Sequence, residues 1–399
     1  MRGLALVLLL AGACRSSTPT GPCTIDCEAR CADGDGASCA AAAEKAFDGH
    51  NGMPLDLARS FAYATKACEL DDGLGCALLG LHYQDGRGAP WDHARAIATY
   101  EKACALGAGT GCYNLESMYS GGHGAVVDRA KADALHAKAR AAWDAACHGA
   151  APRWCTNLAF LVESDGEITQ AKRESALVLD VRACDAGVLV GCSQAAREQI
   201  ELGKLEPTVY LARLEELCGR GDPGACGQAG LDAFLGEHGL AKDEAHGRAL
   251  LRRGCDFGDN LSCYQAALAG VQHEPQDVDA ITRDFAAACD RGYGKGCAAI
   301  GKDLLRRGLV AQAQPFAERA CQIGEKDGCA ALADMYLAGN GVPRDSTKGL
   351  AWAREACSMG DGDMCFTLIA AGLDPPVPPD VVPKLRADAC KAGVASACR

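Results

Sequence analysis

The chain has 399 residues and a formal net charge of 40 − 52 = −12, which excludes a general affinity for nucleic acid or anionic membrane, since both need basic patches. With 49% hydrophobic, 23% charged and only 5% aromatic residues, it is neither disordered nor rich in strand formers; small apolar side chains suit close-packed helices. Twenty-five cysteines are too many for a reducing cytosol and point to an oxidising compartment.

Residues 1–13 read as a signal peptide. Met1-Arg2 supplies a positive charge, and Leu4 to Leu10 is an unbroken apolar run. That run is too short for a membrane span, which needs about 20 apolar residues. Ala11-Gly12-Ala13-Cys14 comes next and resembles the lipobox of bacterial lipoproteins, with Ala11 where leucine is preferred. The resemblance implies acylation of Cys14. The alternative is ordinary cleavage nearby, with Cys14 removed or incidental. Residues 14–30 are then a lipid-anchored tether, opening on the polar stretch 15–22.

From residue 31 to 399 the cysteines carry a repeat. Cys31 and Cys39 are eight apart, as are Cys68 and Cys76, Cys104 and Cys112, Cys147 and Cys155, Cys184 and Cys192, and Cys218 and Cys226. The series continues with Cys255 and Cys263, Cys289 and Cys297, Cys321 and Cys329, Cys357 and Cys365, and Cys390 and Cys398. The intervals between first cysteines run from 32 to 43 residues, a period that means stacked helical units. Alanine precedes the first cysteine in eight of eleven motifs, and glycine stands three residues after it in nine. Those glycines, Gly34, Gly107, Gly187, Gly221, Gly258, Gly292, Gly324, Gly360 and Gly393, read as left-handed helix C-caps. Asp71 and Ala150 are the exceptions; Asp tolerates that conformation, and Gly149 stands one position early.

Ten helix–turn–helix units lie between the motifs, from 39–68 to 365–390. Unit 76–104 shows the grammar: Leu79-Gly80 and Tyr83 on one helical face, a break at Gly86 and Gly88, and Asp92 as N-cap of a second helix carrying Ala96, Ile97 and Tyr100. Unit 112–147 repeats it with Leu115, Tyr119, Gly122, Gly124, Asp128, Lys131 and Ala132. Unit 329–357 does so with Leu332, Tyr336, Gly339, Gly341, Asp345 and Lys348. Unit 112–147 is seven residues longer than its predecessor, and the excess falls in the second helix, 128–147. Seven residues are nearly two turns, so the buried face shifts by only about 20°.

This grammar resembles the Sel1-like repeat family, a relative of the tetratricopeptide repeat. With C-x7-C at each junction the chain is most similar to the Helicobacter cysteine-rich protein subgroup. The resemblance implies an all-α, right-handed α-solenoid of about ten repeats. Units from 155 to 289 depart from it by losing most of the Gly-x-Gly turn, and 374–379 replaces the last turn.

Each motif turns an antiparallel helix start back beside a helix end, so its two cysteines fall within disulfide reach. Cys23 and Cys27 are the remaining candidate pair. Zinc sites favour pairs two to four residues apart, and redox sites favour C-x-x-C. C-x7-C is neither spacing, C-x-x-C is absent, and Cys23-x3-Cys27-x3-Cys31 offers only a weak match to a zinc site, so no metal or cofactor is expected. The resemblance implies binding or slow hydrolysis of β-lactams as an alternative activity. Yet no serine has lysine three residues on, and Lys-Thr-Gly and Ser-Asp-Asn are absent. No histidine pair forms H-x-H or H-E-x-x-H, and His238 and His246 read as solvated polar residues. No catalytic residue is expected. The expected partner is a protein or peptide held on the concave face, with no nucleic acid and membrane contact only through the lipid. Tyr83, Tyr119 and Tyr336 are candidates to line that face, against the plainer reading of inter-helix packing. The expected place is the bacterial envelope or the secreted fraction.

Overall fold

The computed structural model describes residues 26–48, 56–121, 125, 127–273, 277–373, 382–383 and 386–387. Among them every regular element is helical: a short first helix, Cys27–Ala32, nine complete helical hairpins and the first helix of a tenth, Gly362–Ala370. The first helix begins inside the stretch 14–30. Most helices have 13 residues, as in Gly73–Asp85 and then His93–Ala105. Each helix packs on its chain neighbours, which makes the molecule an all-α solenoid. Cys390, Cys398, the turn 374–379 and residues 1–25 lie outside the described residues.

The junctions arise from local chemistry. Helix His93–Ala105 ends in a double bond: Gly107 donates its amide to the Cys104 carbonyl at 3.1 Å, and Ala108 donates to Ala103 at 3.0 Å. That Schellman closure needs a left-handed residue at Gly107, whose φ is +82°. Gly34, Gly187, Gly221, Gly258, Gly292, Gly324 and Gly360 share the conformation, and Asp71 adopts it at φ +57°. Gly149 does not; its φ is −90°, and a 3-10 turn, Pro152–Trp154, bridges that junction. One residue beyond the left-handed position the next helix begins. Asp72 accepts from the Gly75 amide at 2.7 Å, and Asp361 from Met364 at 3.0 Å. A single aspartate thus closes one helix and caps the next.

The turn within a unit is built as consistently. Asp92, Asp128 and Asp345 cap their helices through the amides of Arg95, Lys131 and Lys348. Their own amides donate to the Tyr83, Tyr119 and Tyr336 carbonyls at 2.9–3.0 Å. Each tyrosine lies under the cation at the third position of the second helix. Lys131 Nζ is 3.9 Å from the Tyr119 ring, and Arg95 and Lys348 are 5.6 and 5.5 Å from theirs. The three tyrosines are half-buried and act as clasps within their units. Helix Arg129–His148 has 20 residues, and the 13 of its counterparts leave an excess of 20 − 13 = 7. Its buried stripe, Ala132, Leu135, Ala139, Trp143 and Cys147, continues unbroken through the extra turns.

Candidate binding surface

Ten disulfides tie the described junctions. In the first half of the chain they are Cys31–Cys39, Cys68–Cys76, Cys104–Cys112, Cys147–Cys155 and Cys184–Cys192. In the second half they are Cys218–Cys226, Cys255–Cys263, Cys289–Cys297, Cys321–Cys329 and Cys357–Cys365. Their Cα–Cα distances run from 4.4 Å at Cys68–Cys76 to 4.8 Å at Cys357–Cys365. Cys27 is disulfide-bonded as well, whereas Cys14 and Cys23 lie outside the described residues. So does the eleventh motif, Cys390 and Cys398.

Beside several bridges runs a backbone contact that the cysteine spacing alone does not reveal. The residues preceding the two cysteines meet, and one of them is small. A Cβ added to Gly75 would stand 2.2 Å from Ala67 Cβ, one on Gly111 2.4 Å from Ala103, and one on Gly328 2.5 Å from Ala320. In the Cys255–Cys263 junction the roles reverse, with Gly254 facing Ser262.

First helices of neighbouring units approach one another more closely than second helices do. They therefore line the inner side of the curve. Five residues past the second cysteine, each of nine first helices places a half-buried or exposed side chain. The row reads Glu44, Leu81, Ser117, Phe160, Arg197, Leu231, Leu268, Lys302 and Asp334. Phe160 is 53% and Leu268 41% exposed. The row mixes apolar Leu81, Phe160, Leu231 and Leu268 with charged Glu44, Arg197, Lys302 and Asp334, and Arg197, paired with Glu163 and Glu198, divides the apolar positions. At its start Arg153 reaches across from a later junction to Glu44 at 3.3 Å.

One residue further on, the side chain is buried in most units, Lys45 and Asp303 being half-buried. Met118, Leu161 and Met335 fill this position in three units. His82, Glu198 and Asp232 fill it in three others and need partners. His82 sits between the Ser60 hydroxyl, 2.9 Å away, and the Arg87 carbonyl. Burial pushes its imidazole down to about 4. Glu198 pairs with Arg197 at 2.7 Å, beside Arg173, Glu163 and Asp180. Burial raises Asp180 to about 8 and Glu198 to about 7. Asp232 accepts from the Tyr210 hydroxyl at 2.7 Å and from Gln228 at 2.9 Å.

His238 departs from the solvated role that its sequence suggests. Its side chain is 17% exposed, 3.2 Å from Glu201 and 3.4 Å from Asp232. Asp232 lies on the helix that leads into the turn, whereas Glu201 comes from 37 residues back, in the previous unit. His246 is more open and meets Glu215 at 2.7 Å. Trp143 is buried; Trp91, Trp154 and Trp352 are half-buried.

The units also meet across the superhelix. A Cβ on Gly86 would stand 3.5 Å from Gln322 Oε1, and one on Gly292 2.9 Å from Arg87 Cδ. Arg87 lies 3.9 Å over the Phe47 ring. The Asp85 carboxyl, pushed up to about 7 by burial, is drawn back down by Arg87 and Arg319. The turn at 85–88 therefore packs against elements six units along the chain.

Three stretches, 37–72, 73–107 and 326–361, match the Sel1 repeat. These are two adjacent units near the start and one near the end. No curated protein matches the chain. Among solved structures it is similar to c5321, a protective antigen of uropathogenic Escherichia coli displaying an SLR fold. Identity is 19% and the TM-score 0.45, over 93% of this chain and 88% of that one. A Sel1 repeat protein from Oxalobacter formigenes gives 20% and 0.33, over 85% and 87%. The immunity protein Pa5087 from Pseudomonas aeruginosa gives 16% and 0.30, over 51% and 82%.

Proposed function

We propose, on the premise that this chain is built from Sel1 repeats, that it is a non-enzymatic scaffold that binds a protein or peptide in an oxidising extracellular or periplasmic space. Sel1 repeats generally serve as protein-interaction scaffolds. The observation that carries the reading is the row of side chains on the first helices in which Phe160 and Leu268 stand exposed. A row that combines exposed apolar side chains with charged ones suits an extended segment of a partner. The many disulfides support the compartment. Among the described residues no helix is long and apolar enough to cross a membrane. Attachment through an acylated Cys14, after removal of 1–13, completes the proposal.

The test is proximity crosslinking in the producing cell with intact protein and with a double variant combining Phe160→Asp and Leu268→Asp. A partner captured by the first and lost from the second, at unchanged circular dichroism, is the expected result. Capture that ignores the double substitution would move the binding surface elsewhere. A chromogenic β-lactam tests the enzymatic alternative: turnover abolished by one point substitution would overturn the scaffold reading. Cys14→Ser is expected to release the protein from membranes; unchanged membrane association would end the lipoprotein reading.

A further inference from the structure

We infer that the turn after helix Pro223–Leu235 is a divalent transition-metal site, with Asp232, Glu237 and His238 as ligands and zinc as the best-suited ion. One ligand atom from each of the three lies within 4.8 Å of the others. One edge is 3.4 Å, between His238 Nδ1 and Asp232 Oδ2. A tetrahedral ion with bonds of about 2.1 Å has ligand–ligand edges of about 3.4 Å. The first edge of a zinc polyhedron is thus already in place.

Two features of His238 argue for a cation here. Its Nδ1 is buried and makes no hydrogen bond, although a carboxylate oxygen faces it. Its other nitrogen, Nε2, lies 3.2 Å from Glu201 Oε1. If Nε2 carries the proton and donates it to Glu201, Nδ1 presents a lone pair to an anion. A metal ion between them would satisfy both. Carboxylate on one ring nitrogen and metal on the other is the usual second-shell arrangement of a ligating histidine.

The backbone holds the geometry. Gly236 and Gly239 flank the turn with φ of +76° and +78°, and His238 itself is left-handed at φ +52°. A non-glycine residue in that region carries strain, which the surroundings must hold in place. The Tyr210 hydroxyl and Gln228 orient the fully buried Asp232 carboxylate. Glu237 is exposed, so the third ligand closes from the solvent side and the fourth position is left to water. With ten junctions oxidised, their cysteines supply no competing thiolate.

The experiment uses untagged, fully oxidised protein stripped with a chelator and titrated calorimetrically with Zn2+, with Ca2+ and Mg2+ as comparisons. One zinc per chain is expected, with no uptake of the other two ions at the same concentrations. Glu237→Gln touches an exposed side chain, spares the fold and is expected to weaken zinc at least tenfold. His238→Asn keeps a residue that tolerates positive φ and is expected to abolish it. His246→Gln is the control and is expected to bind as wild type. Absence of a stoichiometric zinc heat would overturn the site. Binding that survives both Glu237→Gln and His238→Asn, or that disappears in the His246 control, would overturn it equally.

Discussion

At the scale of the residue, glycine is placed by contact as well as by conformation. Gly75, Gly111 and Gly328 are helical, and what forbids a side chain there is the alanine opposite. In six of the ten described junctions one Cβ is absent at this crossing, and the swap at Gly254 and Ser262 shows that it can be absent from either side. Gly111→Val is expected to cost about 1–3 kcal/mol through overpacking, seen as a lower urea midpoint with the disulfides intact. Asp345→Ala removes a cap whose oxygen accepts from Lys348 at 3.0 Å and is expected to cost about 1 kcal/mol. Its effect should be local, so exchange of amides in Ser346–Ser358 should rise before the rest.

Buried acids give the residue scale a pH dependence. Asp180 and Glu198 have folded pKa values of about 8 and about 7, above their ordinary range, because burial disfavours the charged form. Glu163 adds repulsion, and Arg197 and Arg173 offset it in part. Between the ordinary carboxylate range and about 8, the folded chain holds protons that the unfolded chain has released. Stability from this cluster is therefore present at low pH and is lost as pH rises through the folded values. Asp180→Asn mimics the protonated form. The fall in Tm from about pH 5 to about pH 8 should be shallower in that variant than in wild type; equal slopes would show that the cluster does not titrate in this window.

At the scale of the element, almost everything legible in the sequence is local. A helix stop, a staple and a helix start fit within C-x7-C, so spacing, alanine and glycine sufficed to place the junctions and the hairpins. The seven-residue excess was legible for the same reason and appears as a longer helix, Arg129–His148. Its periodicity makes a test. Deleting seven residues within 132–142 turns the helix by about 20° and should leave the Cys147–Cys155 bridge formed. Deleting five turns it by about 140° and should expose free thiols to a labelling reagent. The junction caps Asp72 and Asp361 are equally local, since each stands directly after a left-handed residue, Asp71 or Gly360. The group around His238 was not legible. Glu201 is 37 residues away and comes from the previous unit, and nothing in the spacing of the histidines encodes that meeting. His82 is the same case, since its partner Ser60 sits one unit back.

At the scale of the whole molecule, curvature brings distant units together. Arg87 and Gly86 meet Gly292 and Gln322 because the solenoid has come round upon itself. A one-dimensional stack has only nearest-neighbour terms; this contact adds a term between units six apart. Arg87→Glu sets a second negative charge beside Asp85 and should open that closure. The expected sign is a larger radius of gyration in solution scattering, with unchanged helix content and unchanged disulfides. An unchanged radius would mean that the stacking angles alone fix the curve. The thiol count is a property of the whole chain too. Of 25 cysteines, 20 are bridged at the described junctions. With Cys27 bonded as well, labelling in denaturant without reductant should therefore find no more than 25 − 21 = 4.

Each of the ten junction bridges closes a loop of the same small size, and none links one unit's body to a distant one. Oxidation therefore does not weld the polypeptide into a single covalent net. A protease that cuts once at the exposed Gly88 would leave two chains joined only by packing, and denaturant would separate them with every disulfide still intact. On a non-reducing gel such a nick would show as two bands whose masses report the site of the cut. The same locality lets each staple from Cys68 onward close as soon as its own few residues have emerged, with no wrong cysteine nearer along the chain than the right one.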